Sequence, residues 1–126
     1  MLKIKTARRA VALILVMAAM IAALAGCGTK SRASEEAISA GQNAIAVVDR
    51  YLDGIVDADE AVKKLDSLCR KMDYLDDMTS EDDHFYADHL IKGRISSLST
   101  FVYLEDFAKI KSTRNELAAD VGEKKR

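Results

Sequence analysis

The sequence predicts an all-α protein, a small three-helix bundle built from an antiparallel hairpin and a longer third helix. Three observations lead there. Apolar residues recur at alternating spacings of three and four along three consecutive stretches, which is the repeat of one helix face. The breaks between those stretches are only a few residues long, so successive helices fold back on each other. The chain of 126 residues contains no proline, so no residue obliges a long helix to stop, and no run alternates apolar with polar residues as a half-buried strand does.

The first helix is expected over about 35–53. Ser34 is placed to cap it, and Glu35 and Glu36 occupy the first turn, where acids meet the positive end of the helix dipole. Ile38, Gly41, Ile45, Val48, Leu52 and Ile55 form its stripe, and Gly54 suits the left-handed residue that ends a helix. The second helix, about 58–77, opens on Asp57 and Glu60 at capping-box spacing, with Val56 and Ala61 as a hydrophobic staple. Its stripe is Ala58, Ala61, Leu65, Leu68, Met72 and Leu75.

The third helix is expected over about 81–110. Thr79 or Ser80 caps it, Glu81, Asp82 and Asp83 fill its first turn, and Ala87, Ile91, Ile95, Leu98 and Val102 line its inner face. Gly93 falls inside it at a cost of about 1 kcal/mol relative to alanine. The bundle therefore occupies 34–111. The remaining segment, 112–126, reads either as a short helix around Leu117-Ala118-Ala119, capped by Thr113 and Glu116, or as a disordered basic end.

Ahead of the bundle, Lys3, Lys5, Arg8 and Arg9 precede an uninterrupted apolar run from Ala10 to Leu24. A basic segment, an apolar segment and small residues at a cut site make a secretory signal. The run of 15 residues is shorter than the roughly 20 that a spanning helix needs. Leu24-Ala25-Gly26-Cys27 follows, and this resembles the lipobox of bacterial lipoproteins. The resemblance covers residues 1–27. It implies a signal peptide of residues 1–26, a diacylglyceryl group on Cys27 and an extracytoplasmic location. Two acyl chains are about what stable membrane anchoring requires. Gly28 is not the aspartate that retains lipoproteins at the inner membrane, which implies the outer membrane if the host has one and the outer face of the cell membrane otherwise. Residues 27–33 are then the lipidated cysteine and a tether whose reach is about 20 Å.

The charge that remains after cleavage differs from that of the whole chain. Four of the 19 Lys and Arg lie in the signal and none of the 20 Asp and Glu do, which leaves 15 against 20, a net of −5. That balance speaks against a nucleic-acid binder. With Cys27 taken by lipid, Cys69 is a lone thiol on an apolar stripe, so a disulfide framework is excluded and a buried, inert thiol is expected. Two histidines, no phosphate-binding glycine loop and no nucleophile motif give no catalytic constellation. The expectation is a non-enzyme with no cofactor beyond the lipid on Cys27.

Three constellations remain as candidates. Asp49 to Glu60 partly resembles an EF-hand calcium loop, with Asp49, Asp53, Asp57 and Glu60 at ligand positions 1, 5, 9 and 12 and Gly54 at the turn. Tyr51 stands where the third ligand belongs, and the apolar stripe runs on through Leu52 and Ile55, so a helix stop followed by a cap is the favoured account. The segment Asp73 to His89 holds seven acids up to Asp88 and no Lys or Arg. Glu81, His84 and Asp88 share a helix face there, although acids at a helix start are expected from the dipole alone. Lastly, Phe85, Tyr103, Phe107 and Ile110 fall off the inner stripe of the third helix and form a candidate partner surface, unless Leu117, Ala118 and Ala119 fold back over them.

The function expected from the sequence is a membrane-anchored lipoprotein that presents a small helical module to an envelope or extracellular protein. The alternative is a small divalent-cation-binding lipoprotein using the Asp49–Glu60 loop or the Asp73–His89 segment.

Overall fold

The computed structural model describes residues 32–126, and the signal, the lipobox and Cys27 lie outside the described residues. The described residues form four α-helices and no strand: α1 (Glu35–Leu52), α2 (Ala58–Arg70), α3 (Phe85–Tyr103) and α4 (Phe107–Val121), with a 3-10 turn at Asp73–Asp77. Each helix packs on the next in the chain, and α4 returns to pack on α1. The result is an up-down-up-down bundle. The all-α bundle class is as the sequence predicts, and the helix count is four rather than three.

The first two helices begin as their caps dictate. The Ser34 hydroxyl accepts from the Ala37 amide, and the Asp57 carboxylate accepts from the Glu60 amide at 2.8 Å. Gly54 sits at φ +74°, the left-handed conformation that ends α1 without a Cβ penalty. Helix α2 is shorter than expected. It stops at Arg70, and the chain tightens into the 3-10 turn that still buries Leu75 in the core.

Helix α3 starts at Phe85, later than expected, because the acidic stretch before it satisfies itself as a turn. The Asp82 amide donates to the Thr79 carbonyl, and the Asp82 side chain accepts from the His84 amide. The larger difference is at the far end. The stripe does not run to Ile110; α3 stops at Tyr103, Glu105 takes a left-handed φ of 54°, and Asp106 caps α4 by accepting from the Lys109 amide. The residues from 107 onward therefore start a new helical phase. Ile110, Thr113, Arg114, Leu117, Ala118 and Val121 form its buried face. Thr113 lies within α4 and caps nothing, and the C-terminal segment takes the helical alternative around Leu117-Ala118-Ala119, in a helix that starts earlier, at Phe107.

The core is continuous through all four helices. Leu65, Met72, Leu75, Ile91, Ile95, Leu98, Ile110 and Leu117 are fully buried. At Gly41 α1 packs closely on α4: a Cβ there would meet the Val121 side chain at 2.6 Å, so a larger residue would force that side chain to shift.

Glu105 occupies a conformation that L-residues with a Cβ pay for and glycine does not. Glu105→Gly is expected to raise stability by about 0.5–1 kcal/mol, less the unfolded-state entropy that glycine adds. Urea unfolding of the two proteins measures it, and a clear loss of stability would mean that the Glu105 side chain holds the turn.

Candidate functional site

The two ends of the bundle have different chemistry. At the end where the described chain begins, Ser34 and Asp88 join α1 to α3. Asp88 is fully buried in the first turn of α3. One of its carboxylate oxygens accepts from the Ser34 amide at 2.8 Å; the other accepts from the Ser34 hydroxyl at 2.6 Å and the Tyr74 hydroxyl at 3.1 Å. The carboxylate thus lies against the N-termini of two helices, where the dipoles favour negative charge. Beside it the His84 Nδ1 bonds the Arg32 carbonyl. That hydrogen bond raises the imidazole above its ordinary value; burial lowers it by less, and the nearby carboxylates, Asp88 first, add to the rise. The stability that the charged imidazole adds here is therefore complete below the ordinary histidine value and is lost as the pH rises through the raised one.

Asp88 points inward and is consumed by hydrogen bonds, Glu81 lies in the turn outside α3, and among the described residues no three His, Cys, Asp or Glu side chains are placed to hold a metal. In the Asp49–Glu60 stretch the four acids have other partners. Asp49 receives two hydrogen bonds from Arg114, at 3.0 and 2.9 Å, and an ion pair from Arg126 at 3.4 Å. Asp53 pairs with Arg126, Asp57 caps α2, and Glu60 pairs with Lys64 at 3.2 Å. Burial pushes the Asp49 carboxyl up, but the bonds and charge of Arg114, helped by Arg126, hold it below the usual carboxylate range.

The same arginine organises the C-terminal residues. Arg114 is 6% exposed and also donates to the Lys124 carbonyl, while Asn115 pairs with the backbone of Arg126 in both directions. Residues 122–126 fold back on the end of α4, and the Arg126 side chain reaches Asp49 and Asp53 of α1. Cys69 is free and half-buried, and burial, followed by the charge of Asp66, pushes its thiol up.

The opposite end is apolar. Tyr103 is 75% exposed, Ile55 and Leu104 62% each, and Phe107 53%. Phe107 stacks parallel on Tyr51 at 6.0 Å. Helices α1 and α3 both finish here. Of the four residues expected to form a partner surface, Tyr103 and Phe107 are at this tip. Phe85 lies at the other end, half-buried against Tyr86 and His89. Ile110 is in the core, because the wheel that placed it outside assumed an unbroken helix. Leu117 and Ala118 fill the core and Ala119 is exposed, so the C-terminal helix leaves Tyr103 and Phe107 open. Ile55 and Leu104 were missed. Ile55 follows the helix-ending Gly54, which releases it from the stripe, and Leu104 belongs to the turn that the sequence hides.

Grooves among the described residues flank the bundle. One, of about 440 Å³ between α3 and α4, is lined by Leu90, Gly93, Arg94, Ser97, Phe101 and Glu116 among others, with Arg94 held by Glu116 and Asp120. Another, of about 340 Å³, lies between α1 and α2. Comparisons with known protein families, with curated proteins and with solved structures find no match to this chain.

Proposed function

We propose that this chain is a lipid-anchored lipoprotein that presents its helical bundle to another protein of the cell envelope, without catalysis of its own, and that the docking surface is the apolar tip. The observation that carries the reading is the exposure of Ile55, Tyr103, Leu104 and Phe107 together at one end of the bundle. Aromatic and large aliphatic side chains supply much of the energy at interfaces when they enter a desolvated pocket. The lipobox supplies the anchor: Cys27 lies seven residues before Ser34. The tip lies at the far end of α1, whose 18 residues span about 27 Å.

Tyr103→Ala combined with Phe107→Ala tests it. The double variant gives up the Tyr51 stack and little else, so its stability should fall by no more than about 1.5 kcal/mol. In pull-downs from native membranes it should lose a partner that the wild type retains, while Cys27→Ser should lose lipid labelling and leave the membrane fraction. A fall in melting temperature as large as that of a core truncation would assign the two aromatics to the fold and remove the tip as a docking surface.

A further inference from the structure

We infer that the groove between α1 and α2 is an anion site that takes an extended, phosphate-bearing polyanion. Its floor is Val47 and Leu68, and its rim carries Arg50, Lys64 and Lys71 with Asn43; no Asp or Glu lines it. That is an unusual balance in a chain whose residues after Cys27 have five more acids than bases. The fold produces it by turning the neighbouring acids away. Asp49, next to Arg50, is held by Arg114 and Arg126. Asp66, next to Ser67 in the groove wall, accepts from Ser99 on α3 at 2.6 Å. Arg50 and Lys71 are left exposed, with no carboxylate at ion-pair distance among the described residues. Lys64 has only Glu60, in a pair whose two side chains are 47% and 50% exposed, the kind of contact that contributes little and yields to a competing anion.

The spacing selects the shape of the ligand. Asn43 and Arg50 are seven residues apart on α1, and Lys64 and Lys71 are seven apart on α2. Each pair spans two helical turns, about 10.5 Å. The helices are antiparallel, so Arg50 and Lys64 mark one end of the groove and Lys71 and Asn43 the other. A ligand with anionic groups repeated along its length engages both ends at once, and a single small anion engages one. The cations rim a shallow, open groove between two helices, along which an extended polymer chain can lie. This inference does not depend on the tip or on the lipid anchor.

The test uses the full chain in neutral detergent and a long-chain linear polyphosphate as probe, with binding read by calorimetry at several salt concentrations. Binding should weaken as salt rises. Arg50→Ala with Lys71→Ala should weaken it by about tenfold or more. Both side chains are exposed and unpaired, so the circular dichroism melt should not move; Arg50→Gln with Lys71→Gln provides the same charge change with longer side chains if it does. Lys111→Ala with Lys125→Ala, an equal charge change outside the groove, should leave binding as it was. The inference is overturned by an absence of binding at low salt, by an equal loss in the control pair, or by binding to phosphatidylglycerol-doped micelles without binding to polyphosphate.

Discussion

Arg114→Ala is expected to lower stability by about 3 kcal/mol and the melting temperature by roughly 15 °C for a domain of this size. Removing the guanidinium leaves Asp49 beside the core with only the exposed Arg126 for company, and frees the Lys124 carbonyl from its donor. Breaking a buried pair from one side costs more than the pair itself contributes, because the other charge stays behind. The figure sits at the low end of that range because the Asp49 side chain keeps 28% of its exposure. The pH dependence supplies a second readout. The Asp49 carboxyl is lowered in the folded state, so its contribution is complete above the ordinary aspartate value and is lost as the pH falls through the lowered one. The gap between wild type and Arg114→Ala should therefore be full at neutral pH and close as the solution is acidified through that window. A gap that stays constant with pH would mean that the loss comes from packing of the arginine stem and not from its charge.

Asp88→Ala is the second large effect, again about 3 kcal/mol, since three donors lose a buried charged acceptor together. Asp88→Asn keeps the shape and one acceptor oxygen, and its amide can donate to the two hydroxyls that formerly donated to the carboxylate. It should lose only about 1 kcal/mol, mainly the favourable meeting of the charge with two helix N-termini. Hydrogen exchange locates the damage. Amides in the first turn of α1, from Ser34 to Ile38, should exchange faster in Asp88→Ala while those around Leu65 and Ile95 keep the order of protection set by the core. Uniform acceleration across the bundle would show that Asp88 supports the whole fold and not this junction.

Local signals in the sequence were readable where one residue type serves one backbone need. Ser34 and Asp57 cap helices because their side chains reach an amide three residues on, and Gly54 ends α1 because only it takes that dihedral cheaply. The break between α3 and α4 carries no such mark. Glu105 does what glycine usually does, and Asp106 is one acid among many. Reading through it carried the α3 phase as far as Ile110 and put a core residue on the surface, while Tyr103, still within α3, was placed correctly. Arg114 and Asp88 could not be assigned from spacing either. Their burial depends on partners 65 and 54 residues away in sequence, and a charged residue looks the same in a sequence whether it meets water or a carboxylate. The apolar tip was half legible for the same reason: Tyr103 and Phe107 stood out by type, but Ile55 and Leu104 are exposed only because of where the turns fall.

The Ser34–Asp88 junction has a mechanical consequence. Tension applied to the chain ahead of Arg32 reaches the bundle first at the contact of His84 with the Arg32 carbonyl and then at the hydrogen bonds converging on one rigidly held carboxylate. Helix α1 cannot be unzipped turn by turn from that end until those bonds, anchored on a different helix, give way together. Load is thereby passed from the first helix to the third at the point where it enters, and the lattice of apolar contacts behind it is spared.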